Sequence, residues 1–282
     1  MWFILALFSS LTFGLAGFMM KISSHHKGSN NYLLLGLYVS GALGFLWWML
    51  QTGVALFTWP IILFGIVIGF GSAVGNLLFM KALEVGPASL TAPVTNSNIV
   101  LTVAMSILIY DETISWTETI GVVLLVTAIS LLPIDPNENL RIRNIAWYGF
   151  VLTATLLFFL RNGGLKITEE LHLPNATILF ISYVVGIIWF GLGILRGRQP
   201  EPPRARSIGW WWGLGAGVFS FAGLQIYSIA LSKGPASIIA PIFATNSLIV
   251  ALLSILIYRE RLSLMQSFCL ILLFSGLIFI RI

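Results

Sequence analysis

The sequence predicts an all-α integral membrane protein in which ten transmembrane helices form two inverted five-helix repeats. Three observations carry that reading. Of the 282 residues, 58% are hydrophobic and 9% charged, with a mean hydropathy of +0.96, far from the quarter of charged residues usual in a water-soluble domain. Apolar runs of about 20 residues, long enough to span a bilayer, recur from one end of the sequence to the other. A segment of the first half also returns, residue for residue in many places, in the second.

Charged and turn-forming residues divide the apolar runs into spans near 1–20, 32–51, 60–83, 88–110 and 114–132. Five more follow near 145–163, 175–195, 208–231, 236–258 and 262–280. They are expected to be helices, because lipid offers backbone N–H and C=O groups no partner and the runs lack the polar alternation of a barrel strand. The first run has no basic segment before it and is followed by more spans, so it reads as a retained helix, not a cleaved signal. Pro133-Ile134-Asp135-Pro136-Asn137-Glu138-Asn139 is the clearest linker. It sets one unit at 1–133, a linker at 134–144 and a second unit at 145–282.

The repeat supports this division. Ala82 to Ser115 overlays Ala230 to Ser263 at a constant offset of 148, with 16 of 34 positions identical. Gly86-Pro87-Ala88-Ser89 matches Gly234-Pro235-Ala236-Ser237, Ala92-Pro93 matches Ala240-Pro241, Asn98 matches Asn246 and Glu112 matches Glu260. A fainter match at offset 145 pairs Lys21-Ile22 with Lys166-Ile167. Five spans is an odd number, so the second unit enters the membrane upside down relative to the first. Transporters use inverted repeats to expose a midplane site to either side in turn.

Charge and cysteine content exclude several classes. The net charge of +5 is scattered over short loops, so no nucleic-acid partner is expected. Eleven of the fifteen Lys and Arg fall on the face opposite the termini, and the positive-inside rule therefore places the termini outside. The single cysteine, Cys269, gives no intramolecular disulfide and no cysteine-rich metal site. HExxH, GxSxG and Walker patterns are absent, and His25, His26 and His172 lie in loops, so neither catalytic residues, metal nor cofactor is expected.

At the repeated segments the sequence resembles the EamA-type permeases of the drug/metabolite transporter superfamily. Lys81-Ala82-Leu83, Gly86-Pro87-Ala88-Ser89, Ala92-Pro93 and Glu112 carry the resemblance, with Ala230-Leu231, Gly234-Pro235-Ala236-Ser237, Ala240-Pro241, Glu260 and Gln266 in the second half. It implies ten spans in two inverted halves, membrane lipids as surroundings, a bacterial plasma membrane as the location, and a small-molecule substrate. A coupling proton or ion is implied by the resemblance alone. In that family a small residue recurs seven positions apart in the last helix of each half; here the pairs are Gly121 with Ala128 and Cys269 with Gly276, still small enough for close packing.

Polar residues within spans are costly and are therefore binding-site candidates, although each can also bond a neighbouring helix. Thr91, Thr95, Asn98 and Thr102 share one helical face. Asn98 and Asn246 occupy one repeat position and either meet a substrate or staple helices. Lys81 either presents an ammonium to an anionic group or snorkels to the headgroups. Asn76, Gln225 and Tyr227 complete the substrate-binding set of Asn76, Lys81, Thr95, Asn98, Gln225, Tyr227 and Asn246. Arg161-Asn162, followed by Gly163-Gly164, reads as the end of the sixth span and an interfacial anchor. Pro93 and Pro241 bend the fourth and ninth spans, while Glu112 and Glu260 are expected to stabilise the helix starts that follow them.

The function expected is secondary-active transport of a small metabolite, in the manner of an amino-acid exporter. A channel or lipid translocator on the same scaffold is the alternative, and an intramembrane enzyme is disfavoured by the missing reactive clusters.

Overall fold

The computed structural model describes residues 1–53, 57–85, 91, 94–95, 97–131, 145–196, 201–258 and 264–281. All regular structure among them is helical. The helices are α1 (Trp2–His25), α2 (Asn30–Thr52), α3 (Trp59–Val85), α4 (Asn98–Tyr110), α5 (Trp116–Leu131), α6 (Ala146–Glu170), α7 (Asn175–Arg196), α8 (Pro203–Leu231), α9 (Ala236–Ala244), α10 (Asn246–Tyr258) and α11 (Leu264–Arg281). Six of them, α1, α2, α3, α6, α7 and α8, are long and apolar enough to cross a membrane. The other helices, α4, α5, α9, α10 and α11, are apolar but shorter. The linker at 134–144, Pro87, Pro93 and Glu260 lie outside the described residues.

Local chemistry fixes the helix ends. The Ser29 hydroxyl accepts from the Tyr32 amide to cap α2, which stops at Gly53 in the left-handed region. Pro203 opens α8, where its missing N–H costs no helical hydrogen bond. Ser115 and Glu118 form a reciprocal capping box on α5, each accepting the other's backbone N–H at 3.2 and 2.7 Å.

The main packing contacts run between helices from opposite sides of the linker: α2 and α1 on α8, α3 on α6 and α7, α2 on α7, α5 on α11, α1 on α10 and α4 on α6. With α9 and α10 counted together as the fourth helix of the second half, exchanging the two halves maps this set of pairings onto itself. Glycines set the spacing. A Cβ on Gly36 would meet the backbone of α8, and Cβ atoms on Gly209, Gly213 and Gly217 would meet the backbone of α2, so these helices touch main chain to main chain and run parallel. Gly65 and Gly69 bring α3 equally close to α7, again in parallel. In contrast α5 and α11 run antiparallel, since Gly121 abuts Gly276 and Ile280 while Leu125 abuts Gly276. Cys269 and Ala128 are fully buried. The outward faces carry Leu43, Leu50, Leu63, Leu108, Leu152, Phe274 and Ile278, all exposed, as a lipid-covered surface requires.

Three spans differ from the sequence expectation. The sixth does not end at Gly163-Gly164 but continues as α6 to Glu170, because Gly163 sits beneath Phe159 and Gly164 against Ile68 of α3. The fourth and ninth are not continuous: α4 begins at Asn98, and a turn at Thr245 divides α9 from α10. Pro241 lies inside α9, four residues before that turn.

The two breaks are built alike. At the first, the Ser97 amide donates to Val94 O at 3.2 Å, its hydroxyl donates to the same oxygen at 2.6 Å, and the Asn98 amide side chain donates to Thr95 O at 2.6 Å. At the second, Thr245 N and Oγ1 donate to Ile242 O at 3.1 and 2.7 Å, and Asn246 Nδ2 donates to Phe243 O at 2.8 Å. Each is a tight three-residue turn whose carbonyls are satisfied by side chains where lipid would leave them unpaired. The first helix of the other unit braces each turn, Thr155 donating to Val94 O at 3.1 Å and Ser10 sharing a 2.8 Å hydrogen bond with Thr245. Ser10 and Thr155 are themselves 145 residues apart, the offset of the fainter repeat.

Candidate functional site

Two cavities adjoin, and the breaks open onto one of them. One, of about 110 Å³, is lined by Asn98, Thr102 and Asn162 on one side and by Tyr227, Phe243 and Asn246 on the other. The second, of about 180 Å³, is lined by Tyr38, Ser72, Asn76, Tyr183 and Ser220. Phe13, Phe158 and Arg161 line both. Phe13 and Phe158 are related by the offset of 145, so a repeat-related aromatic pair sits where the cavities meet. A larger crevice of about 560 Å³ is walled mainly by apolar side chains of α3 and α7, with Asn31 and Arg196 as its polar groups.

The second cavity has a matched polar frame. Tyr38 Oη shares a 2.9 Å hydrogen bond with Ser72, and Tyr183 Oη shares one of 2.6 Å with Ser220. Each ring also occupies the space beside a glycine of the other helix, Tyr183 against Gly41 and Tyr38 against Gly186. The rings meet edge to face with centroids 5.2 Å apart. Tyr38-Val39-Ser40-Gly41 and Tyr183-Val184-Val185-Gly186 are again 145 residues apart, a signal present in the sequence that the longer match at 148 overshadows.

Of the residues singled out from the sequence, Asn98, Tyr227 and Asn246 line the smaller cavity and Asn76 the larger one. Asn76 donates to Tyr38 Oη at 3.3 Å. Thr95 is buried and donates back to Thr91 O at 2.9 Å, as threonines in apolar helices do, and lines neither cavity. Gln225 is buried outside both linings, and Lys81 is exposed near the end of α3.

Arg161 is a correction. With α6 continuing to Glu170, this residue lies within the helix and not at an interface, and its guanidinium reaches both cavities. Its Nε donates to Asn162 Oδ1 at 3.1 Å, and Asn162 Nδ2 donates to Asn98 Oδ1 at 2.8 Å. The guanidinium also stands over the Phe158 ring, 5.1 Å from its centroid.

Glu112 is a second correction. The start of α5 is capped by Ser115 and Glu118, while Glu112 reaches across to α9. There its two oxygens accept from Ala236 N at 2.9 Å and Ser237 N at 2.8 Å, which places a carboxylate on the positive end of a helix. Lys166 approaches Glu112 Oε1 at 2.7 Å and also pairs with Glu170. Burial pushes the Glu112 carboxyl up, but the Lys166 ammonium and the Ser237 and Ala236 amides outweigh it and hold the group below the ordinary carboxylate value. The repeat places Lys21 and Glu260 at the positions equivalent to Lys166 and Glu112.

The sequence pattern of the EamA-like transporter family matches residues 1–133 and 145–282. An uncharacterised transporter of Methanothermobacter thermautotrophicus is 25% identical over 211 residues, 73% of this chain and 60% of that protein. An uncharacterised protein of Methanocaldococcus jannaschii is 40% identical over 62 residues, 22% of this chain and 45% of that one. The matched regions thus span about half the length of these curated relatives, 60% and 45%. A crystal structure of a protein 14% identical in sequence aligns over 97% of this chain and 95% of its own with a TM-score of 0.80, a likeness of fold.

Proposed function

This chain belongs to the EamA-like transporter family and is a multi-pass integral membrane protein, and from that premise we propose that it is a secondary-active transporter of a small metabolite. In this reading residues 1–133 and 145–282 are two inverted five-helix repeats, and the route runs through the paired cavities between them. The observation that carries it is the repeated helix break. Asn98 and Asn246 sit at equivalent turns in opposite units and line one cavity, the arrangement of a midplane site built from discontinuous helices. Antiparallel packing of the equivalent helices α5 and α11 supports the inverted relation. Two units with the same bending preferences, set in opposite senses, exchange roles when the site changes the face to which it opens.

Counterflow in proteoliposomes tests this, because a carrier exchanges labelled for unlabelled solute while a channel dissipates the gradient. Asn98→Ala and Asn246→Ala are each expected to lower apparent affinity by about 5-fold to 150-fold, the loss of one hydrogen bond in a buried site. Thermal unfolding separates this from collapse of the turn. Folded variants that exchange at the unaltered rate and affinity would remove both asparagines from the route.

A further inference from the structure

Arg161 breaks the symmetry of the cavity. Its equivalent at offset 145 is Ala16, and Asn162 corresponds to Gly17, so α6 places a charge and an amide where α1 has two small residues. Guanidinium groups stay protonated, and a charge taken from water is costly unless it is paired. Yet none of the described residues that line either cavity is acidic, and Arg161 makes no ion pair among the described residues. Its one hydrogen bond uses Nε, held by the Asn162–Asn98–Thr95 relay, so both terminal nitrogens are without a hydrogen-bond partner there. A second group is also unsatisfied: Tyr227 is fully buried, stacks on Phe243 at 4.3 Å, and its hydroxyl has no hydrogen-bond partner although the residue lines the cavity.

We propose that the cavity takes a small organic acid as its monoanion, with the carboxylate on the terminal nitrogens of Arg161 and the Tyr227 hydroxyl and the apolar body against Phe13, Phe158 and Phe243. This deepens the transport reading and rests on it. A planar guanidinium fork matches a carboxylate in two parallel hydrogen bonds, and the rings supply the apolar wall typical of small-molecule sites. Net charge separates organic acids from amino acids. A monoanion neutralises Arg161, whereas a zwitterion carries its own ammonium into a cavity whose described lining holds no carboxylate and leaves one positive charge uncompensated.

Thermal unfolding of the full chain in detergent is the test, with benzoate, phenylpyruvate, benzamide and phenylalanine as probes. Benzoate and phenylpyruvate are expected to raise Tm saturably, benzamide to have no effect, and phenylalanine to bind about tenfold or more weakly than phenylpyruvate. Arg161→Gln is expected to weaken phenylpyruvate by about tenfold or more, and Arg161→Lys to restore part of the loss. If Arg161→Gln does not fold, the contrast of benzoate with benzamide on the unaltered protein decides alone. Equal shifts from benzoate and benzamide, tighter binding of phenylalanine than phenylpyruvate, unchanged binding in folded Arg161→Gln, or no shift with either organic acid would each overturn the assignment. Counterflow of neutral or zwitterionic solutes but of no organic acid would overturn the substrate class and leave transport standing. Carboxylate binding without counterflow would do the reverse.

Discussion

Replacing Gly213 with leucine is expected to abolish correct assembly of the bundle. Even the first added carbon would lie 2.9 Å from the Leu33 carbonyl carbon and closer still to its oxygen, and these are backbone atoms of a packed helix that cannot rotate away. The stripe of Gly209, Gly213 and Gly217 lets α8 rest on the main chain of α2, so one wide residue lifts the helices apart along their length. Overpacking in a close-packed interior costs about 1 to 3 kcal/mol and more when no side chain can yield, so Gly213→Ala should cost about 3 kcal/mol and Gly213→Leu more. Gly191 in α7 is the control. Nothing lies within 4 Å of a Cβ there, and Gly191→Ala should be neutral or stabilising by up to about 1 kcal/mol through helix propensity. Yield of monodisperse protein and its Tm check both, and equal Tm for Gly213→Ala and Gly191→Ala would contradict this account of the interface.

Glu112→Gln is expected to have the next largest effect. The change removes the charge that joins the loop after α4 to Lys166 of α6 and to the first amides of α9, the latter 124 and 125 positions away in the sequence. Breaking one partner of a buried pair costs about 3 to 5 kcal/mol, and the lower figure applies here because Lys166 keeps Glu170. Acid acts in the same direction. The Glu112 carboxyl is held below its ordinary value of 4.5 in the folded protein, so its stabilisation is complete above that value and fades as pH falls through the lower folded value. Tm of the unaltered protein should therefore drop more between pH 5 and pH 3 than Tm of Glu112→Gln. Parallel drops would mean that the pair contributes nothing to folding.

The residues legible in the sequence were those whose pattern is local or repeated. Apolar runs and the repeat at 148 pointed to Asn98 and Asn246 because identical positions in two helices need no tertiary information. Tyr38 and Tyr183 were legible in principle, but at an offset of 145, since the two units differ in length before the stronger match begins. Arg161 was misread because Gly163-Gly164 looks like a helix end; packing against Phe159 and Ile68 makes the interior glycines tolerable. The helix breaks at Ser97 and Thr245 lie in short polar runs, Thr95-Asn96-Ser97-Asn98 and Thr245-Asn246-Ser247, which suit a polar stripe on a continuous span as well as a turn. For Glu112 the sequence points to the start of α5, the helix that follows it, because its partners on α9 are 124 and 125 residues away and only the fold brings them together.

The central claim is that one cavity opens to each side of the membrane in turn, and labelling of a cysteine within it tests that without knowledge of the substrate. Cys269 is the only cysteine in the sequence and is fully buried in α11, so Cys269→Ala gives a silent background in which Ala244→Cys places one thiol on the cavity wall. In proteoliposomes of uniform orientation, a membrane-impermeant maleimide should reach that thiol when supplied from either face. Labelling from one face only, under every condition in which the protein stays folded, would make the cavity a pocket and contradict the account.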